Sequence, residues 1–239
     1  MAVSRGNTNS ATGNADTNGD FSLTLNVAAG SNKCVIVTHS KDSSTTDPVS
    51  VTVGGNAATL IRKTSNGSRT VWTHQIVGVA TGNNTVTIRR GAFETNLTLM
   101  ATDYSDVDQV APIDIDNGAT GTIGASGGTA SVSATSTKAG GYLHGVIAYT
   151  LTGQLVAPNS GETELAEIAV GSNQLQSEAV AGAGPASESV SWINSSIFSG
   201  AYACQIVILA PVSAVNNTPS KPFIKTTYRP HPYSPMRAR

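Results

Sequence analysis

The sequence predicts an all-β protein, an antiparallel sandwich or barrel of many short strands. Three observations predict it. Charged residues make up 12% of the 239 residues, against about 25% in an average globular chain, while Gly, Ser, Thr, Asn, Ala and Val are abundant. Val and Thr suit a half-buried pleated surface, and Gly and Asn supply turns that need positive φ. About thirteen runs of strand length follow one another at short spacing with turn signals between them, and no convincing helical period interrupts them.

In chain order, Met1 to Asp20 is Asn, Thr, Ser, Gly and Ala with hardly an apolar side chain. Such a segment does not repay its ordering entropy alone, so residues 1–20 read as an extended N-terminal arm that orders against a partner. Phe21, Leu23, Leu25 and Val27 alternate with polar residues, as a strand with one buried face requires. Lys33 to Ser40 (KCVIVTHS) is a near-continuous apolar run, the pattern of a central strand covered on both faces. Val49 to Val53 and Ala57 to Lys63 flank Gly54, Gly55 and Asn56, a hairpin signal. Arg69 to Val77 follows with Trp72, His74 and Ile76 on one face. Thr85 to Arg90 comes after a Thr-Gly-Asn-Asn turn, and Leu97, Leu99 and Ala101 lead into Asn96 to Asp116, where a strand runs into a loop with five aspartates.

Beyond Asp116 a Gly, Thr, Ser and Ala segment to Gly128 reads as a long surface connection. Strands resume at Ala130 to Thr135, Tyr142 to Tyr149, Glu164 to Val170, Leu175 to Ala181, Glu188 to Ile193 and Tyr202 to Leu209. The two halves have similar grammar but no fixed period, so residues 21–212 read as one sandwich domain. Residues 213–239 contain five prolines among Phe223, Tyr228 and Tyr233 and favour an extended C-terminal arm. All fifteen acidic residues and nine of the fourteen basic ones precede that arm, so the body carries −6 and the arm +5. A basic end of this kind suits docking on an acidic surface or on nucleic acid, of which five charges interleaved with prolines favour a protein surface at least as well.

Chemical motifs are sparse. Asp103, Asp106, Asp108, Asp114 and Asp116 are the candidate metal ligands, because calcium takes six to eight oxygens, but their spacing does not match the twelve-residue calcium loop and turn capping is the expected use. No metal or other cofactor is expected. His39, His74, His144 and His231 share no metal-ligand spacing. There is no Gly-x-Ser-x-Gly elbow, and Gly124, Gly127 and Gly128 lead into no phosphate-binding helix. Cys34 and Cys204 sit in apolar strands and read as buried free thiols, with one bridge between them as the other option. Trp72 and Trp192 are expected in the core rather than on a sugar-stacking platform. The start has no secretory apolar core and no window approaches a membrane span, so no membrane partner is expected.

The hairpin VTVGGNAATLI (Val51 to Ile61), VWTHQIVGVATGNNTVTI (Val71 to Ile88), YSDVDQVAPID (Tyr104 to Asp114) and YACQIVILAPV (Tyr202 to Val212) together resemble a β-sandwich module of phage virion surface proteins and bacterial extracellular proteins. The resemblance covers most of the body and neither arm. It implies a jelly-roll-like antiparallel sandwich used for display, adhesion or assembly, and no reaction. The function expected is therefore a non-enzymatic virion protein assembled in the host cytoplasm, a capsid decoration (cement) subunit that binds the major capsid protein or other virion proteins. A homo-oligomer is expected, a trimer by analogy with such subunits, with nucleic acid not a partner. Lys221, Phe223, Lys225, Tyr228, Arg229, Tyr233, Arg237 and Arg239 in the basic arm are the expected partner-binding residues. The alternatives are a head fibre or tail protein, a secreted carbohydrate-binding or adhesive module, and a hydrolase on a jelly roll.

Overall fold

A computed structural model describes residues 1–42, 44–150, 156–158, 163–171, 173–181 and 185–213. Among them every regular element is a strand and every ladder is antiparallel. The first half supplies β1 (Ser4–Gly13), β2 (Asp20–Val27), β3 (Cys34–Asp42), β4 (Ser50–Val53), β5 (Asn56–Ala57), β6 (Thr59–Ser65), β7 (Arg69–Val77), β8 (Gly82–Arg89) and β9 (Leu97–Ser105). The second half supplies β10 (Ile113–Ile123), β11 (Thr129–Thr135), β12 (Tyr142–Tyr149), β13 (Val156–Pro158), β14 (Thr163–Val170), β15 (Asn173–Ala181), β16 (Ser187–Asn194) and β17 (Gly200–Leu209).

These strands build two sandwich lobes. In the first lobe an inner sheet β1-β9-β3-β7-β6 packs on an outer sheet β2-β8-β4-β5; in the second, β10-β17-β12-β15-β14 packs on β11-β16-β13. The inner sheets also pack on each other, giving four layers with three interfaces. Sequence explains which sheet goes where. β2 and β11 alternate buried and exposed residues, as an outer sheet with one wet face demands. β3 is buried without a break from Cys34 to Ser40 because both its faces are covered: Val35 and Val37 enter the first lobe's core, whereas Cys34 and Ile36 enter the cluster between the lobes. Each such Val or Ile contributes about 1.5–3 kcal/mol on full burial.

The pairing pattern is duplicated. Exchanging β1, β2, β3, β6, β7, β8 and β9 for β10, β11, β12, β14, β15, β16 and β17 converts one set of ladders into the other, with β4 matched by β13. Matched strands begin at Ser4 and Ile113, Asp20 and Thr129, Cys34 and Tyr142, Gly82 and Ser187, Leu97 and Gly200, a nearly constant offset. Contacts between the lobes repeat under the same exchange: β1 lies on β14 and β10 on β6, while β7 lies on β12 and β15 on β3. That is the arrangement of a two-fold interface, in which each patch meets its own counterpart. The pseudo-axis runs along the strands, because β9 and β17 point the same way. Their starts lie together, with Asn96 against Gly171 and Asn66 donating to the Tyr202 carbonyl at 3.0 Å. Their far ends meet in the Tyr104, Val107 and Leu209 cluster.

The inter-lobe interface is more polar than either lobe core. Gln205, fully buried, donates to Thr64 Oγ1 at 3.1 Å and to the Val71 carbonyl at 3.0 Å, and accepts from Thr73 Oγ1. Tyr104 Oη pairs with His144 Nδ1 at 2.6 Å, and Arg62 pairs with Asp116. A side chain on Gly118 would begin 2.3 Å from Thr64 Oγ1, so glycine is what lets β10 approach β6.

Three sequence expectations differ from this fold. Residues 4–13 are not an arm but the edge strand β1, paired with β9 from Ser4↔Ser105 to Gly13↔Leu97. The strand needs no apolar residues of its own, because its backbone ladder and side-chain hydrogen bonds such as Asn9 Nδ2 to the Thr24 carbonyl hold it. Residues 117–123 of the Gly- and Thr-rich stretch after Asp116 are the second part of β10, paired with β17, and only residues 124–128 form the surface connection. The body is two matched lobes rather than a single sandwich. Glu164 to Val170 does form an edge strand, within β14, and Cys34 and Cys204 are buried free thiols whose burial pushes both up to about 12.

Candidate functional site

The five aspartates of the Asn96 to Asp116 stretch separate as the chain folds, and each is engaged locally. Asp103 lies buried under a bulge in β1, accepting from the backbone N–H of Asn7 at 2.6 Å and of Ala28 at 3.2 Å; burial raises its pKa despite both donors. Asp106 accepts from Ser31 Oγ at 3.1 Å in a left-handed backbone conformation. Asp108 caps the Val107–Pro211 corner, held below its usual range by the Ala111 and Val110 N–H groups. Burial would raise Asp114, but donors from Thr137, Ser136 and Lys138 outweigh it and hold its pKa low. Asp116 is paired with Arg62. Among the described residues no three His, Cys, Asp or Glu side chains converge.

His39 and His74 are gathered instead on the inner sheet of the first lobe, which sequence spacing does not reveal because the ladder between β3 and β7 creates the proximity. His39 stacks on Trp72 at 4.9 Å and on His74 at 5.3 Å, and neither His39 ring nitrogen has a partner among the described residues. Arg90 lies over Trp72 at 5.1 Å and Lys63 at 5.8 Å. Trp72 Nε1 donates to Asp47 at 2.9 Å, and Lys63 pairs with the same carboxylate at 2.8 Å, so Lys63 and then Trp72 lower the Asp47 pKa. Burial drives His39 well below its usual range and His74 to about 4, so both rings are neutral near pH 7. An open cavity of about 210 Å³ adjoins the cluster, with Asp47, Val51, Leu60 and His74 in its lining. A desolvated stack capped by cations is a rigid wedge between two sheets. Trp72 and Trp192 are both fully buried, as a core role requires, and present no platform to a sugar ring.

Exposed phenylalanines lie where β9 and β17 begin. The loop between β8 and β9 carries Phe93, 57% exposed, and the loop between β16 and β17 carries Ile197 and Phe198, 75% and 60% exposed. Buried polar residues build both loops. In the first lobe Arg90 donates from its backbone to the Gly19 carbonyl at 2.7 Å, while its side chain reaches Glu94 at 3.0 Å and the Thr46 carbonyl at 2.8 Å. In the second, Asn194 donates from its backbone to the Gly128 carbonyl at 2.8 Å, and its side chain reaches the carbonyls of Gly124 at 2.9 Å and Phe198 at 2.6 Å. The crossing bonds match too: Ala15 N–H donates to the Glu94 carbonyl and Ser126 N–H to the Ser196 carbonyl. Sequence reading passed over these phenylalanines, since a single aromatic residue in a Gly- and Ser-rich loop carries no periodic signal.

The eight expected partner-binding residues, Lys221, Phe223, Lys225, Tyr228, Arg229, Tyr233, Arg237 and Arg239, lie outside the described residues. Comparison with models of protein families, with curated proteins and with solved structures finds no match.

Proposed function

We propose that this chain is a non-enzymatic structural protein of a phage virion, a decoration (cement) subunit that binds the capsid shell and its neighbours. The likeness to jelly-roll-like virion surface modules belongs to this proposal. One observation carries most of it: β1 begins and β17 ends at the same end of a four-layered body, while the exposed aromatic loops lie at the other. The Val107–Pro211 bridge and the Val212 N–H bond to the Asp106 carbonyl at 2.9 Å fix the point from which the basic segment leaves. A body whose first and last strands end at one pole and whose exposed aromatic loops lie at the other is suited to standing on a lattice. Binding there would stabilise the assembled shell by mass action.

The test uses particles lacking the protein and purified full-length and truncated chains. Full-length protein should decorate particles to saturation, and protein lacking Ser213 to Arg239 should remain folded but fail to attach. Full occupancy by the truncated chain would refute the role of the basic segment.

A further inference from the structure

We infer that the end of the molecule bearing Phe93, Ile197 and Phe198 is a contact surface for a lipid bilayer. This goes beyond the virion reading and stands on the two loops alone. The pseudo-two-fold axis runs along the strands, so the two tips reach the same height and meet a flat surface together. The second tip has its turn closed by internal hydrogen bonds. The Asn194 side chain takes the Gly124 and Phe198 carbonyls, Ser196 Oγ accepts the Phe198 N–H at 3.0 Å, and the Ser126 and Gly127 N–H groups reach back to the Ser196 and Asn194 carbonyls. Internal pairing of this kind is what an apolar phase demands of any backbone that enters it.

Charge points the same way. Residues 124–128 and 194–200 contain no Asp, Glu, Lys or Arg. Around the first tip Arg90 and Lys41 pair with Glu94, Arg69 with Asp42, Lys63 with Asp47 and Arg89 with Asp20, and the exposed carboxylate of Asp16, which accepts from the Asn18 and Asp20 N–H groups, brings five cations and five anions into balance. A neutral end with protruding aromatic side chains suits a zwitterionic lipid surface, whose fluid interior accepts knobs of any spacing. No membrane-spanning segment is needed for such a contact, and among the described residues no helix is long and apolar enough to cross.

The experiment is flotation of the full-length protein with phosphatidylcholine vesicles. Wild-type protein should float with the vesicles, and raising the salt to about 0.5 M should leave that unchanged, because charge screening does not act on apolar insertion. Phe93→Ser and Phe198→Ser should each lower partition about tenfold, and the double variant, checked for an unchanged melting temperature, should stay unbound. Val110→Ser, at the opposite end and 95% exposed in the wild type, should float normally. Failure of the wild type to float, or flotation of the double variant, overturns the inference. Self-association without vesicles that the double variant abolishes overturns it in favour of a second copy of the chain.

Discussion

Three buried histidines weaken this fold as pH falls, an effect opposed in part by Glu167, which burial raises to about 7. His39, His74 and His144 are neutral in the fold, and burial places His74 at about 4 and His144 at about 3. The unfolded chain binds these protons near pH 6.5, so between that value and the folded one it holds more protons than the native state. Stability is therefore full above about pH 6.5 and falls as pH drops toward 4, by up to about 1.4 kcal/mol per pH unit for each histidine. Urea midpoints at about pH 7 and about pH 5 should differ in that direction, and identical midpoints would contradict neutral burial. Gln205 is the second residue to test, since it closes three hydrogen bonds between the lobes. Replacing it with Ala leaves Thr64, Thr73 and the Val71 carbonyl short of a partner and should cost about 1–3 kcal/mol in denaturant unfolding.

Among the elements, β1 shows where sequence was a poor guide. Apolar runs and alternation mark β2, β3, β8, β9, β11, β12 and β17 in the sequence, because their buried faces are written mostly in Val, Leu, Ile and Ala. β1 and the second part of β10 are edge strands of Ser, Thr, Asn and Gly, held by backbone ladders whose partners lie far along the chain. Their composition is that of a loop, and only the tertiary ladder separates the two cases. Asp103 is the side chain that binds β1 through its bulge, and Gly6 makes room for it, since a Cβ there would lie 2.1 Å from Asp103 Oδ2. Asp103→Ala should speed amide exchange across Ser4–Gly13 while leaving β3 protected. Unchanged exchange in β1 would show that the ladder holds without the carboxylate. The aspartate stretch was legible as a corner of the fold. The aromatic loops were not, because their equivalence exists only once the two lobes are superposed by their strand pairing.

As a whole, the molecule is a covalent version of a two-fold dimer. Each lobe has its own core, and the interface between them adds a polar network to the apolar clusters around Met100, Val146 and Ala203. The connection from Asp106 to Pro112 crosses between the lobes with Val107 buried and Val110 95% exposed. A protease site inserted beside Val110 and cut in the folded protein should leave both fragments in one particle by size-exclusion chromatography. Separation into lobes would mean that the connection, rather than the interface, joins them. The repeat itself escapes a search for sequence period because matched positions share a ladder partner and a buried face, not a residue type: His39 on β3 occupies the place of Ile147 on β12.

The claim that this two-lobed body serves a virion is tested most directly by quantitative mass spectrometry of washed, purified particles. A capsid decoration subunit should be present in fixed stoichiometry with the major shell protein and at equal occupancy from one preparation to the next. Its absence from washed particles would contradict the virion reading, and a copy number of only a few per particle would contradict the capsid position.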